Sequence, residues 1–283
     1  MRLDNSRESR NIEDRRGRGG PIRAGGKIGL GGIVLALVAI YFGADPSVVL
    51  QNMLEPEPAE YSAPAQGPAS DAESRFVSKV LADTEDSWGR IFQQKGWGDY
   101  RQPTLVLYTG ATSTACGRGQ AAMGPFYCPA DSKVYLDLGF FRQMAQQLDS
   151  PGDFAQAYVI AHEVAHHVQH LRGITDQVDR LRQRGGAAQA NQLSVRTELQ
   201  ADCLAGVWAH HSNEQRGTLE DGDIEEALTA AAAIGDDRLQ MQSQGYVVPD
   251  SFTHGSSKQR VEWFTRGFRS GDTGQCDTFA AMG

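Results

Sequence analysis

Two histidines separated by three residues lie in an apolar stretch of the sequence, His162-Glu163-Val164-Ala165-His166. Residues i and i+4 of a helix lie one turn apart on the same face, so both imidazoles could bind one metal ion. Glu163 follows the first histidine and could take a proton from a metal-bound water. These residue types at this spacing indicate a zinc hydrolase, most often a peptidase.

The residues around this motif predict a buried helix. Apolar residues recur from Phe154 to Val168, and no Gly or Pro interrupts the run before Gly173. A helix that is apolar on most of its surface is buried, and burial gives a site the rigidity it needs. An H-E-x-x-H pattern also arises by chance, so the interpretation depends on this context and on a third ligand.

Two further histidines near the motif are poor candidates for that third ligand. His167 points about 100° away from His166 around the helix axis, and His170 lies about 12 Å along the axis from His162. A catalytic zinc usually has three protein ligands and one open position. The third ligand is therefore expected elsewhere in the chain.

Glu198 and Asp202 are the better candidates for the rest of the site. They are four residues apart in the segment 193–209, which has the spacing of an amphipathic helix. Glu198 is the predicted third ligand, supplied by a second helix that packs across the first. Asp202 is predicted to accept a hydrogen bond from the outer nitrogen of a ligand histidine. Alternatively, both are ordinary solvated charges.

The H-E-x-x-H motif followed by E-x-x-A-D on a second helix is similar to the gluzincin pattern. Residues 161–169 (AHEVAHHVQ) and 198–203 (ELQADC) resemble the neutral zinc metallopeptidase family of bacteria, as do residues 11–17 (NIEDRRG) and 253–260 (THGSSKQR). The resemblance covers most of the chain apart from the segment between residues 44 and 70. It implies a zincin-like fold and one bound Zn²⁺ per chain.

His254 is a candidate for a further catalytic role. Peptide hydrolysis needs a hydrogen-bond donor for the oxyanion that forms when water attacks the carbonyl. His254 stands in a predicted loop before a helix, from which it could donate. The alternative is a surface or helix-capping histidine.

The first 70 residues predict a membrane anchor rather than part of a core. Residues 1–27 carry eight Arg or Lys and four Asp or Glu, a net charge of +4, and read as a basic cytoplasmic tail. Residues 28–43 are apolar and nearly uncharged, which predicts a single transmembrane signal anchor. Residues 44–70 hold five of the eleven prolines and read as an extended linker. The remaining residues 71–283 form the predicted catalytic domain.

This topology places the catalytic domain outside the cytoplasm, and the family resemblance makes the membrane a bacterial inner membrane. All four cysteines then face an oxidising compartment, where disulfides form. Of the three possible pairings, Cys116–Cys128 and Cys203–Cys276 are favoured, the first closing a Gly-rich loop. The net charge of −12 over residues 28–283 disfavours nucleic acid as a partner.

The predicted fold class is α+β, mostly helical with a small β-sheet beside the two metal helices. An edge strand beside the metal helix could bind an extended substrate through backbone hydrogen bonds. By resemblance, either residues 133–138 or the loop 112–128 would have that role; plain sheet structure is the alternative. The predicted elements besides the metal helices are helices at 71–94, 140–148, 221–234 and 257–268, strands at 104–108 and 133–138, and a loop at 110–131.

The predicted function is zinc-dependent hydrolysis of peptide or protein substrates, with His162, His166 and Glu198 as ligands and Glu163 as general base. One alternative is a catalytically silent zinc-binding scaffold or interaction protein of the cell envelope. A structural zinc site, however, usually has four Cys-rich ligands and needs no base. A second alternative is hydrolysis of another amide, such as one in cell-wall peptide.

Overall fold

The computed structural model describes residues 1–4, 6–17 and 71–280, and this part of the chain is mostly helical with a small sheet, which confirms the predicted α+β class. The strands are β1 (Ile12–Asp14), β2 (Thr104–Tyr108), β3 (Ala111–Thr114), β4 (Gly117–Gln120), β5 (Phe126–Cys128) and β6 (Lys133–Asp137). The α-helices are α1 (Ala72–Lys95), α2 (Gly139–Gln147), α3 (Asp153–Leu171), α4 (Ile174–Arg182), α5 (Ala187–Arg216), α6 (Asp223–Ala233), α7 (Asp236–Gln244) and α8 (Ser257–Ser270).

A four-stranded sheet has the order β1-β2-β6-β5. Strands β1, β2 and β6 are parallel, whereas β5 runs antiparallel to β6. Alternate residues point to opposite faces of a strand, so Leu105 and Leu107 of β2 join the main core while Val106 and Tyr108 form a smaller cluster on the other face. The sheet is therefore buried on both faces around β2.

The prediction of a loop over residues 110–131 is largely wrong. It contains β5 and a separate antiparallel hairpin of β3 and β4. These strands are three or four residues long and carry glycines, so they lack the apolar alternation by which a strand is recognised. Disulfide Cys116–Cys128 joins the turn of the hairpin to β5, and the other disulfide, Cys203–Cys276, is also present. Both predicted pairings are confirmed.

Helix α3 lies at the centre of the helical layer. It packs against α5, α6 and α1, and most of its residues are buried, including Phe154, Tyr158 and Val164. The long α5 is buried from Leu199 to Ala209, where it passes α3 and α8. Helices α4 and α7 were not predicted, and each buries a single residue, Val178 or Asp236. The i, i+4, i+7 spacing of Ile174, Val178 and Leu181 could have identified α4, whereas α7 has no such pattern.

Residues 1–15 belong to the same compact unit as the predicted catalytic domain. β1 pairs with β2, placing Ile12 opposite Leu105, and Ile12 is 2% exposed. The buried carboxylate of Glu13 accepts hydrogen bonds from Lys133 Nζ at 2.7 Å and Arg15 Nε at 2.6 Å. The N-terminal segment thus supplies an edge strand, which differs from the free basic tail expected for residues 1–27.

The pairing of β1 with β2 bears on the predicted membrane topology. The part of the chain that the structure describes contains no helix long and apolar enough to cross a membrane. The predicted anchor at 28–43 and linker at 44–70 lie outside the described residues. A strand in the cytoplasm cannot pair with a sheet on the other side of a membrane. A cytoplasmic β1 and an outer catalytic domain are therefore incompatible in this folded state.

Replacing Ile12 with Ala should destabilise the whole domain if β1 is part of its core. The lost methyl groups and the cavity left behind should lower the free energy of unfolding by about 2 kcal/mol or more. Denaturant unfolding of the full chain measures the change, and Arg10→Ala, at an exposed position two residues away, is the matched control. Equal stability of the two variants would mean that β1 is not packed on the domain.

Candidate metal centre and active site

Helices α3 and α5 bring three predicted ligands together. The i, i+4 spacing places His162 and His166 on one face of α3, and α5 presents Glu198 to that face. His162 Nε2 lies 3.0 Å from Glu198 Oε2, and His166 Nε2 lies 3.5 Å from Glu198 Oε1. One ligand atom from each of the three residues lies within 4.8 Å of the other two. Residues 36 positions apart in the chain thus share one site.

The spacing of these atoms fits zinc. Tetrahedral zinc at about 2.0–2.1 Å from its ligands separates the ligand atoms by about 3.4 Å. The observed separations of 3.0 and 3.5 Å are close to that value. Two imidazoles and one carboxylate also form a donor set found in catalytic zinc sites, which leave the fourth position open.

The charges of the site suit a cation. Burial raises the pKa of the Glu198 carboxyl, but His166 and His162 hold it well below its usual range, so this carboxylate is ionised. Burial lowers the pKa of His162, yet the Asp202 and Glu198 carboxylates raise it to about 10. A proton and a metal ion therefore compete for the same imidazole nitrogen.

The outer nitrogen of each candidate ligand histidine has a partner. His162 Nδ1 lies 2.9 Å from Asp202 Oδ1, the contact predicted for Asp202. His166 Nδ1 lies 2.8 Å from Gln169 Oε1, and Gln169 Nε2 donates to Thr197 O over 2.8 Å. Such partners fix which ring nitrogen faces a metal.

Gln169 had no predicted role, although it stands three residues after His166 and therefore on a neighbouring part of the same helix face. Its spacing could have identified it. Tyr158, four residues before His162, was missed in the same way. Its hydroxyl donates to Asp202 Oδ1 over 2.5 Å.

Asp202 lies at the centre of a buried polar cluster. The residue has no exposed surface, and Arg260 from α8 donates to both of its carboxylate oxygens over 2.9 Å. Burial raises the pKa of the Asp202 carboxyl, but Arg260 and His162 hold it below its ordinary value. No local pattern in the sequence links Arg260 to Asp202, because the two residues meet only through the packing of α5 and α8.

Glu163 is in the position expected of a general base. It neighbours His162 in the chain and is 8% exposed. Burial raises the pKa of its carboxyl, and the nearby His166 and His162 moderate the effect. A carboxyl group with a raised pKa can both accept a proton from water and release it to a leaving group.

The loop that carries His254 lies beside the part of α5 that carries Glu198. An added Cβ at the next residue, Gly255, would come within 3.2 Å of Leu199 Cδ2. Asp236 Oδ2 accepts the backbone N–H groups of Thr253, His254 and Gly255 at 2.6–3.0 Å, and Asp236 Oδ1 lies 3.2 Å from His254 Nδ1. The bond to Asp236 raises the pKa of His254. Asp236 was missed because this pairing depends on tertiary structure.

His167 and His170 lie outside the metal cluster, as predicted. Both ring nitrogens of His167 have hydrogen-bond partners. Nδ1 lies 2.9 Å from the Tyr127 hydroxyl, and Nε2 lies 2.5 Å from the carbonyl oxygen of Arg101. Burial lowers its pKa to about 4, so this histidine is neutral near pH 7. Its role is to connect α3 to β5 and to the segment before β2.

Removing Glu198 should abolish metal binding. After dialysis, elemental analysis should find about one zinc in each wild-type chain and almost none in Glu198→Ala, because two histidines alone hold zinc weakly. Glu214→Ala removes an exposed acid from the same helix and should keep its zinc. Zinc retained by Glu198→Ala would contradict the predicted ligand set.

Comparisons with known proteins agree with this site. The family model described as "Putative neutral zinc metallopeptidase" matches residues 1–279. An uncharacterized protein of Escherichia coli strain K12, YpfJ, is 54% identical over 287 residues, covering 99% of both chains. The uncharacterized Mycobacterium tuberculosis protein Rv2575 is 43% identical over 218 residues, covering 74% of this chain and 72% of its own.

No solved structure matches the chain. The family match extends over nearly the whole sequence, including β1 and both metal helices. The family description implies zinc, in agreement with the donor atoms brought together by α3 and α5. The chain therefore belongs to the neutral zinc metallopeptidase family.

Proposed function

We propose that this chain is a gluzincin-like zinc peptidase that hydrolyses peptide bonds outside the cytoplasm. The observation that carries the proposal is the convergence of His162, His166 and Glu198, with the buried carboxyl group of Glu163 next to the first ligand. A purely structural zinc site would need neither an open fourth position nor a base. This favours a peptidase over a silent scaffold.

The side chains of the site have distinct tasks in this mechanism. Bound zinc would lower the pKa of water and polarise the scissile carbonyl. Glu163 takes the proton from the attacking water and then delivers it to the leaving amine. Asp202 and Gln169 keep the two histidine rings oriented through their Nδ1 atoms.

His254 supplies the hydrogen bond to the developing oxyanion. Asp236 contacts His254 Nδ1, so Nε2 is the ring nitrogen available for the substrate. The raised pKa favours the protonated ring, in which both nitrogens donate. Three backbone bonds to Asp236 hold the loop, so the donor is positioned before substrate binds.

An extended peptide would bind along β5. Two segments were predicted as candidates for this role, residues 133–138 and the loop 112–128. β6 pairs with β2 on one side and β5 on the other, so both of its edges are occupied. β5 is an outer strand of that sheet and is tied to α3 by the bond between Tyr127 and His167. Substrate could add to β5 through backbone hydrogen bonds.

Location outside the cytoplasm is proposed from the two disulfides, which persist in oxidising compartments. We also propose that residues 28–43 attach the protein to the bacterial inner membrane. Because β1 pairs with β2, this proposal puts residues 1–15 on the same side of that membrane as residues 71–280. The acidic charge of the chain continues to favour peptides over nucleic acids as partners.

Glu163→Gln separates zinc binding from catalysis. The amide cannot accept the proton, so cleavage of a mixed peptide library, followed by mass spectrometry, should fall by about 10²–10⁴-fold while zinc content stays unchanged. Glu262→Gln, an exposed position on α8, is the control. Full activity of Glu163→Gln would exclude the mechanism. A wild-type protein that binds zinc but cleaves no peptide would instead support the scaffold or another amide substrate.

His254→Ala tests the proposed oxyanion donor. The substitution removes a hydrogen bond made mainly in the transition state, so turnover of a cleaved library peptide should fall by about 10²–10³-fold. Zinc content should not change, because His254 is not among the ligands. Turnover near that of the wild type would show that His254 is only part of the loop structure.

A further inference from the structure

Arg260 is a charged residue buried within the helical layer. It is 2% exposed and lies on α8, 58 positions from Asp202. A buried guanidinium group is tolerated only when its N–H groups meet charged or polar partners. The partners of Arg260 therefore indicate what the residue does.

Arg260 makes a bidentate pair with the carboxylate of Asp202. Nε donates to Oδ2 and Nη2 donates to Oδ1, each over 2.9 Å. Nη2 also donates to the Tyr158 hydroxyl over 3.3 Å, and Nη1 to Ile234 O over 3.4 Å. A planar, bidentate pair fixes the plane of a carboxylate as well as its position.

The carboxylate held in this way faces a metal ligand. Asp202 Oδ1 lies 2.9 Å from His162 Nδ1. With Nδ1 donating to Asp202, Nε2 is directed at Glu198. The orientation of the His162 ring thus depends on Asp202, whose own orientation depends on Arg260.

Two glycines let α8 come close enough for this contact. An added Cβ at Gly267 would lie 1.9 Å from the carbonyl oxygen of Cys203, and one at Gly206 would lie 2.2 Å from that of Phe264. No side chain fits at either place, so the backbones of α5 and α8 touch. The disulfide from Cys203 to Cys276 ties the chain after α8 to the same part of α5.

We propose that Arg260 is a positioning residue that sets the zinc affinity of the site by holding Asp202 against His162, an inference that rests on the zinc site proposed above. Arg260 binds neither metal nor substrate. It acts mainly through Asp202, because its own contact with the ring is longer, 3.5 Å from Nη2 to His162 Nδ1. Lysine keeps the positive charge but cannot make the planar, bidentate contact of a guanidinium group. It should therefore not restore the zinc affinity that arginine gives.

A double-mutant cycle on zinc affinity tests this role. Wild type, Asp202→Asn, Arg260→Gln and the double variant are prepared as full chains, because residues 1–15 are part of the fold. Competition with a chelator gives the zinc dissociation constant, and thermal unfolding of the metal-free protein gives stability separately. Arg260→Lys tests whether the bidentate geometry is needed as well as the charge. Arg269→Lys, exposed on the same helix, is the matched control.

Loss of Asp202 or of Arg260 should each weaken zinc binding by about 10–100-fold. The double variant should be no weaker than Asp202→Asn, since both changes break the same link. Arg260→Lys should lose about tenfold, and Arg269→Lys should equal wild type. If Arg260→Gln does not fold, the double variant, which removes both buried charges, still gives the comparison with Asp202→Asn.

Wild-type affinity in a folded Arg260→Lys would overturn the proposal, as would a double variant whose loss is the product of the single losses. A drop in metal-free stability alone, with zinc affinity unchanged, would also overturn it and leave Arg260 a structural residue. In all three cases the wild type still binds zinc, so the proposed function stands. A wild type that binds no zinc would overturn both.

Discussion

The contact between Asp202 and His162 is the interaction on which the rest of the site depends. It joins α3 to α5 at the point where the candidate metal ligands converge, and both residues are buried. A carboxylate in such surroundings is costly unless its oxygens are paired. Tyr158 and Arg260 provide those pairs, so the same bonds that orient a ligand also make the burial of charge possible. Stability and the proposed metal binding therefore depend on the same residue, Asp202.

Close helix packing makes this cluster possible. Gly206 and Gly267 bring the backbones of α5 and α8 together, and the Cys203–Cys276 disulfide tethers the end of the chain to α5. Water is thereby kept away from the pairs around Asp202, which strengthens their electrostatic attraction. The face of α3 that carries His166 and Glu163 is held by a second set of bonds through Gln169. The candidate site is therefore held by hydrogen bonds on both sides.

The N-terminal segment is part of the folded domain. β1 covers one edge of the sheet, leaving β5 next to α3 as the other outer strand. Burial of Ile12 and Glu13 makes the segment part of the core. A basic, polar segment that ends near an apolar stretch favours a membrane topology when only its composition is considered. Composition does not reveal that the same segment also has a pairing partner almost a hundred residues away, at Leu105.

Much of the site was predictable because it follows local periodicity. The i, i+4 spacing places His162 and His166 on one helix face and Glu198 and Asp202 on another. Both helices also carry many apolar residues, which predicts that they are buried. Only the tertiary structure decided which groups meet across elements, such as Arg260 with Asp202 and β1 with β2. Those contacts join segments distant in the chain, and a single sequence contains no periodic signal for them. Helical spacing repeats along one element, whereas the pairing of distant residues is set by how the elements pack.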